Sequence, residues 1–344
     1  MLRVSVFVGS LLLPVAGFTH HSVAAWFDPS EITELEGELT ELRWQNPHIV
    51  FTLKITDDAG QETLWDMESL SVSGVSRTGL TPELFVVGQT LKVAGNPSRK
   101  NLNNVFVRNI LLPSGEEIVL GGQARWSAER SIRGSEILTQ SEGNASAPNQ
   151  GIFRVWSTGS GTSMIFPENL NASFDFSVYP LTAAARAAVE AFDIFEDDPT
   201  KDCVPKGMPL LMEQPYPMEF VQRGDDIVLR LEEYDSVRTI HMNAVARAAQ
   251  QPAAALGYSV GRWDDRTLMV TTTRINSGHF DSVGIPLSEA AEIVERFTPS
   301  EDGARLDYQM TVTDLATFTR PVALSKHWIW LPEIKLGRYA CSPQ

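Results

Sequence analysis

Residues 217–242, PMEFVQRGDDIVLRLEEYDSVRTIHM, constrain the fold of this chain more than any other stretch. Apolar residues occupy alternate positions on both sides of the turn sequence Arg-Gly-Asp-Asp at 223–226, which is the pattern of a β-hairpin with one buried face. The second arm is predicted to continue as one long strand to about residue 238. Because side chains alternate between the two faces of a strand, its apolar and charged residues point in opposite directions.

The charged face of that predicted strand provides the candidate ligand-binding residues Arg230, Glu232, Tyr234 and Arg238. Such a face either contacts solvent or lines a polar cavity, because charged side chains are rarely buried unless they are paired. Two arginines and a carboxylate in a cavity could bind an anionic group through bidentate hydrogen bonds. His241 falls on the opposite face if the strand stays regular, so a bulge is needed to bring it to the same cavity.

Residues from later in the chain extend this candidate set to Arg262, with Asp281 and His279 as further members. An enzyme using a desolvated Glu232 or His241 as acid or base is an open alternative. The sequence contains no nucleophile elbow, phosphate-binding loop, H-E-x-x-H helix or Cys/His zinc spacing, so it indicates no reaction class. The other alternative is an exposed ladder of cross-strand ion pairs, each contributing well under ~1 kcal/mol.

Length and charge bound the function classes. The chain has 344 residues, which is enough for two domains with separate cores. Its formal net charge is −15, and such an acidic surface repels phosphate backbones and anionic membranes. We therefore expect no nucleic-acid partner. The charged strand face instead favours a small-molecule ligand, and its two arginines allow an anionic one.

The N-terminus has the pattern of an export signal at residues 1–19. Arg3 precedes an apolar run at 4–15, and the small residues Ala16 and Gly17 follow near a cleavage point. The apolar run is too short to span a bilayer. We expect a soluble mature protein without a membrane span, located in the periplasm or secreted, with an uncleaved membrane anchor as the alternative.

The chain has two cysteines, Cys203 and Cys341. Export would place both in an oxidising compartment, where they are predicted to form a disulfide between the start of the second domain and the C-terminus. Two unpaired buried thiols are the alternative. Their spacing excludes a C-x-x-C redox or zinc site.

Three histidines of the first half of the chain form a candidate metal site. His20 and His21 could bind Cu(II), most strongly if signal cleavage leaves His20 as the first residue, and His48 is a third candidate ligand. The alternative is an unstructured polar lead-in that binds no metal. Copper is the one cofactor this pattern allows, and otherwise no cofactor is expected.

The segment order in residues 20–120 predicts an OB-like five-stranded barrel. Three strands are followed by a short helix and two more strands, and Gly37 within the first strand allows the sharp bend that this barrel requires. The predicted strands cover residues 32–44, 48–56, 62–68, 89–94 and 105–111, with the helix at 69–78. Residues 121–150 are polar and rich in Ser, Gly and Asn, which indicates a linker.

The second domain, residues 151–344, is predicted to be a β domain with one helix at 181–195. Thr182 is a suitable N-cap for that helix. Strand patterns then follow in pairs with short connections, which force neighbouring strands to be antiparallel. Such a meander tends to curl into a barrel or half-barrel that covers its edges, as in lipocalins. The predicted fold is therefore mainly β, with an OB-like barrel followed by an antiparallel lipocalin-like barrel or half-barrel.

Several long motifs carry a resemblance to a known family. HHSVAAWFD at 20–28, RWQNPHIVF at 43–51, CVPKGMP at 203–209 and SVGRWDDRTLMVTTTRI at 259–275 resemble those of a family of uncharacterised exported two-domain proteins of proteobacteria. The resemblance covers nearly the whole mature chain. It implies secretion, an N-terminal domain of unknown function and a lipocalin-like C-terminal region, and it implies no activity.

From these observations we expect an exported soluble binding protein whose small-molecule ligand lies in the C-terminal β domain. A periplasmic copper-binding protein and an enzyme remain the alternatives.

Overall fold

The chain forms two β-barrels in a computed structural model that describes residues 23–100, 102–133, 142–145, 150–159, 178–198, 203–213, 215–242 and 250–341. The fold is mainly β, as the sequence predicts. Among the helices of these residues, none has the length and apolar character needed to cross a membrane. The predicted signal peptide at residues 1–19 lies outside the described residues.

The first barrel is closed by five strands. In spatial order, β3, β2, β1, β4 and β5 follow one another as antiparallel neighbours, and a parallel pairing between β3 and β5 closes the barrel. This order is that of an OB-fold. The strands are β1 (Thr33–Arg43), β2 (Val50–Thr56), β3 (Glu62–Glu68), β4 (Thr90–Pro97) and β5 (Asn104–Leu111), and the helices are α1 (Val23–Trp26) before β1 and α2 (Val72–Val75) between β3 and β4.

Gly37 allows β1 to pair with both of its neighbouring strands. The first half of β1 pairs with β4 and the second half with β2, with a register shift between Leu39 and Glu41. A Cβ atom at Gly37 would lie 2.6 Å from the carbonyl oxygen of Lys54, so only glycine permits this close approach. The irregularity predicted near Gly37 is thus present as this register shift.

The first barrel extends further along the chain than the expected boundary at residue 120. Strand β6 (Glu117–Val119) is antiparallel to β5, and β7 (Ser131–Arg133) is parallel to β6. Residues 121–133, which were expected to belong to a linker, pack against this barrel because their backbone is hydrogen-bonded to the buried side chain of Glu117.

The second barrel is nearly closed and has nine strands in the order of the sequence, from β8 at one edge to β16 at the other. Ser157 and Ile329 exchange two backbone hydrogen bonds of 2.8 and 2.9 Å, which bring the two edges together. The strands are β8 (Val155–Trp156), β9 (Met218–Arg223), β10 (Asp226–Leu231), β11 (Ser236–Met242), β12 (Tyr258–Asp264), β13 (Thr267–Thr273), β14 (Glu292–Pro299), β15 (Arg305–Thr313) and β16 (Val322–Ile329).

This barrel departs from a pure meander between β11 and β12. These two strands are parallel, with Ile240 opposite Ser259, whereas the other neighbouring strands of this barrel are antiparallel. A parallel pair cannot be joined by a hairpin turn and needs a longer crossover connection, and residues 243–257 separate these two strands.

The predicted long strand after the RGDD turn is wrong, because the chain reverses at residues 232–235. Strand β10 ends at Leu231, and β11 returns beside it as the second arm of a new hairpin. Tyr234 and Asp235 form the turn with left-handed φ values of 55° and 49°. In this hairpin Leu229 lies directly opposite Arg238, so both side chains point to the same, inward face of the sheet.

The predicted helix is α3 (Ala183–Ala191), and Thr182 caps it by accepting a hydrogen bond from the Ala185 amide at 3.2 Å. The predicted disulfide between Cys203 and Cys341 is present, with a sequence separation of 138 residues. It tethers residues 203–213, which we call the plug segment.

The plug segment fills one end of the second barrel. Its side chains Met208, Leu211 and Met212 are buried in the hydrophobic core of that barrel. The Met208 amide donates to the Ala255 carbonyl at 2.9 Å, and the Ser277 hydroxyl donates to the Met208 carbonyl at 2.8 Å. These bonds fix the plug to the connections before β12 and after β13.

Candidate functional site

Arg238 lies at the centre of the second barrel, where it pairs with Glu295. Its Nη1 is 2.9 Å from Glu295 Oε1, and its Nη2 bonds the other carboxylate oxygen. The Nε donates to Ser259 at 2.9 Å, and Nη2 donates to Thr272 at 2.6 Å. The Tyr308 hydroxyl also donates to Glu295 Oε1, at 2.8 Å. Every polar group of the guanidinium therefore has a partner from the chain itself.

This network is buried in the core of the second barrel. Arg238 is 2% exposed, and aliphatic and aromatic side chains of the core surround the network. The chemistry predicted for Arg238, bidentate contact with a carboxylate, is present, but the carboxylate is that of Glu295. The interpretation that Arg230 and Arg238 share one cavity-lining face is wrong, because the turn at 232–235 places them on opposite sides of the sheet.

Two other predicted ligand-binding arginines point outward. The Arg230 side chain is 52% exposed and its Nη1 is 2.8 Å from Glu219 Oε2, across the β9–β10 pair. Arg262 is exposed on β12. For these two positions the alternative of a solvated charged face describes their surroundings better than a polar cavity does.

Glu232 and Tyr234 lie where the two barrels meet. The buried Glu232 carboxylate bonds the Arg77 guanidinium of the first barrel and accepts a hydrogen bond of 2.7 Å from the Gly337 amide. The Tyr234 ring lies 5.1 Å from the Tyr339 ring. These contacts connect the barrels to the C-terminal segment. The Glu232 carboxylate is therefore already bonded to groups of the protein itself.

The histidines lie apart from one another. His241 Nδ1 is hydrogen-bonded to Asp226 Oδ2 at 2.9 Å, and its ring stacks on Tyr258 at 4.7 Å. His48 is buried in the first barrel beside Glu68. His20 and His21 lie outside the described residues. Within the residues that are described, no group of three or more His, Cys, Asp or Glu side chains could hold a metal ion. Copper binding stays a prediction.

A small cavity beside the plug segment brings together three titratable groups from distant parts of the chain. It has a volume of about 30 Å³ and is lined by Tyr179, Glu213 and Asp281, with Pro209, Leu210, Phe280 and Leu324 as apolar walls. The Asp281 carboxylate accepts hydrogen bonds from the amides of Val283 and Ile285 at 3.1 and 3.0 Å. The turn at 281–285 therefore fixes its position.

Burial shifts the titration of these groups. Burial raises the pKa of the Asp281 carboxyl to about 7, against the opposing effect of its backbone hydrogen bonds, and the nearby Glu213 charge adds to the rise. Burial also raises the pKa of Glu213 above its ordinary value, although Lys206 and Lys326 oppose this. The pKa of Tyr179 is raised for the same reason. Carboxyl groups with raised pKa values in a cavity are typical of binding and catalytic sites.

Lys326 belongs to the same surroundings. Its ammonium donates to the carbonyl oxygen of Met212 at 3.3 Å, and burial lowers the pKa of this lysine to about 8. The plug segment thus contacts Arg238 through the Met212 sulfur and Lys326 through the carbonyl oxygens of Met212 and Glu213.

Asp281 and Arg238 are among the candidate residues predicted from the sequence, but the charged groups that surround them are not. The sequence does contain a signal for Glu295, because this charged residue occupies the position between Ile293 and Phe297 on the inward-facing side of β14. Lys326 similarly interrupts the apolar phase of Leu324 and Trp328 on β16. Glu213 ends a short 3-10 helix and Tyr179 lies in a loop, and neither segment has a sequence pattern that points to the cavity.

The N-terminal part of the chain is similar to a known family. A family of unknown function (DUF6152) matches residues 10–105. No curated protein matches this chain.

Among solved structures, the dimeric N-terminal domain of the PriB protein from Thermoanaerobacter tencongensis is 20% identical. The match covers 24% of this chain and 96% of the PriB chain, with a TM-score of 0.19. The assignment of the first barrel rests on its strand order and not on this likeness. The first barrel is thus similar in sequence to a family whose function is unknown.

Proposed function

We propose that this protein is an exported binding protein that receives the amine group of a small cationic ligand in the cavity of Asp281, Glu213 and Tyr179. The observation that carries the proposal is the surroundings of Asp281. Its partly exposed carboxyl lies beside a second carboxyl in the cavity, and within the described part of the chain no lysine or arginine nitrogen lies within 4.0 Å of it. A carboxylate that is largely shielded from water and lacks a counter-charge is unfavourable, and a bound cation removes that cost.

The size of the cavity limits what can enter. A volume of about 30 Å³ accommodates a group about as large as one water molecule, which is also the size of an ammonium group. The apolar walls suit the methylene groups next to an amine. The remainder of the ligand would lie outside, past the partly exposed side chains of Tyr179, Glu213 and Asp281.

Titration calorimetry with n-butylamine on the full-length protein tests this proposal. Binding of a cation requires the ionised form of Asp281, whose pKa is about 7. The amine stays protonated, so affinity should rise about tenfold per pH unit below pH 7 and become constant above it. Asp281→Asn should abolish binding. The matched control Asp302→Asn changes an exposed aspartate and should leave binding unchanged.

The uncharged analogue n-butanol separates the contribution of the charge from that of the apolar walls. If n-butanol binds as tightly as n-butylamine, or if Asp281→Asn binds the amine like the original protein, the cation proposal is wrong. The same outcome follows if the affinity for n-butylamine does not change between pH 5 and 8.

The proposal of export is supported by the signal pattern at residues 1–19 and by the disulfide between Cys203 and Cys341, because disulfides persist in oxidising compartments. N-terminal sequencing of protein recovered from the periplasm or the medium tests it. Recovery only in the cytoplasm, with residue 1 present, would contradict export. A mature chain that starts beyond His21 would also remove the copper hypothesis.

A further inference from the structure

A groove lies on the first barrel, away from the amine cavity. It has a volume of about 780 Å³ and runs between the outer sides of β1, β4 and β5 and the segment 121–126. Such a volume lies in the range of small-molecule sites. Its polar lining includes Glu34, Arg108, Asn109 and Gln123, and Trp126 provides a ring.

Arg108 is positioned in this groove with its donors available. Its Nε donates to Asn96 Oδ1 at 2.7 Å, and the Asn96 amide in turn donates to the Glu31 carbonyl at 2.7 Å. The guanidinium lies 5.9 Å from the centre of the Phe106 ring. In the described part of the chain, Nη1 and Nη2 have no hydrogen-bond acceptor and no carboxylate lies within 4.0 Å.

Glycine at position 121 makes room for this arrangement. A Cβ atom there would lie 2.7 Å from Arg108 Nη1 and 2.9 Å from its Cδ. The amides of Leu120 and Gly121 both donate to the Arg108 carbonyl, at 2.8 and 3.1 Å, which fixes the backbone on either side of the guanidinium. Any larger residue at position 121 would push the guanidinium out of its place.

The buried Glu117 carboxylate fixes the backbone that forms the opposite wall of the groove. Glu117 is fully buried and accepts hydrogen bonds from the amides of Arg125, Trp126 and Ser127 at 2.6 to 2.8 Å. It also accepts one from the Asn109 side chain at 2.7 Å. Burial raises the pKa of Glu117, but these hydrogen bonds together bring it below its ordinary value. The wall that presents Trp126 is therefore preformed.

The charges of the groove favour an anion. Glu34 is the one acidic residue of its lining, and it is already paired with Arg125 at 2.7 Å and with Lys92 at 3.2 Å. Lys92 also lies 5.1 Å from the Trp126 ring centre. Arg108 thus remains as a positive charge without an acidic partner, on a protein whose net charge is −15.

We propose that this groove binds a small ring-bearing carboxylate, with the carboxylate on Nη1 and Nη2 of Arg108 and the ring against Trp126. A guanidinium with two parallel donors matches a carboxylate, and an aromatic face in a polar groove suits the ring of a sugar acid or an aromatic acid. This site is independent of the amine cavity.

Titration calorimetry of the full-length protein with glucuronate and with benzoate tests this site and distinguishes the two sources of the ring. Binding of either acid, and weaker binding of its uncharged counterpart glucose or benzyl alcohol, is expected. Arg108→Gln should weaken binding on the order of tenfold or more, because a charge-assisted bidentate contact is lost. Gly121→Ala should weaken it too, since the charge is kept and only its position changes.

The matched control is Arg133→Gln, which removes an exposed arginine of the same barrel outside the groove and should bind like the original protein. Circular dichroism should show all three variants folded. Unchanged binding in Arg108→Gln, or no binding of either acid at millimolar concentration, would overturn the proposal. If acetate binds as tightly as the ring-bearing acids, the assignment of Trp126 to the ring is overturned.

Discussion

Arg238 and Glu295 form a fully buried ion pair in the middle of the second barrel, with 2.9 Å between Nη1 and Oε1. Removing two charges from water is costly, and their attraction offsets this cost only when all hydrogen bonds are made. Here Ser259, Thr272 and Tyr308 complete them. A central polar network of this kind favours one arrangement of the surrounding strands, because other arrangements would leave buried charges unpaired.

Breaking this pair on one side should strongly destabilise the protein. Arg238→Met leaves Glu295 buried and unpaired, and we expect the free energy of unfolding to fall by about 3–5 kcal/mol. The double variant Arg238→Met/Glu295→Leu should recover much of that loss. Urea unfolding followed by tryptophan fluorescence measures both.

Arg230→Met is the matched control for this experiment. It removes the exposed pair with Glu219 and should change the free energy of unfolding by less than about 1 kcal/mol. An Arg238→Met variant that is as stable as this control would show that the central pair does not hold the strands in place.

The raised pKa of Asp281 predicts a stability that depends on pH. The folded state keeps its proton up to about pH 7, whereas the unfolded chain releases it near the ordinary value of 3.8. The contribution of this carboxyl to stability is thus fully present below about pH 4 and is lost as pH rises to about 7. Glu213, whose pKa is also raised, acts in the same direction.

Asp281→Asn should remove part of this dependence, so that its melting temperature falls less than that of the original protein between pH 4 and 7. Asp314→Asn provides the opposite case, because hydrogen bonds from Ser288 and Thr317 help to lower the pKa of Asp314 despite its burial. Stability from Asp314 is lost as pH falls below about 4. Parallel pH profiles of the two variants would contradict the assignment.

The disulfide should contribute substantially to stability. Cys203 and Cys341 are separated by 138 residues, and closing so long a loop restricts the unfolded chain. Replacing both by serine should lower the free energy of unfolding by about 2–5 kcal/mol. Unfolding of the oxidised protein, with and without a reducing agent, measures the same quantity. The reducing agent should have no effect on the double serine variant, which serves as its control.

Glu117 should determine the order of the groove wall on the first barrel. Glu117→Gln keeps one acceptor oxygen in place of two and brings an amide against backbone donors, so we expect a loss of about 1–3 kcal/mol. Hydrogen exchange should accelerate at the amides of Arg125, Trp126 and Ser127. Glu116→Gln, at a neighbouring position, should leave the exchange of these three amides unchanged.

Local patterns in the sequence determined most strands of both barrels, the exceptions being the short β6 and β7 and the division between β10 and β11. Alternating apolar residues set the strands, Gly37 set the bend of β1, and Thr182 set the start of α3. The two cysteines left a single possible disulfide within the chain. These features depend on neighbouring residues or on counting, so a single sequence is sufficient to predict them.

Only the tertiary structure decided which charged and polar side chains come into contact. The turn at 232–235 exchanged the faces of the expected long strand, so Arg238 entered the core and Arg230 stayed outside. Tyr179, Glu213 and Asp281 come together from three separate segments, and Arg108 reaches a groove whose other wall begins at residue 121. Such contacts follow from barrel closure and from burial of charge. Both depend on residues far apart in the chain, which no local periodicity records.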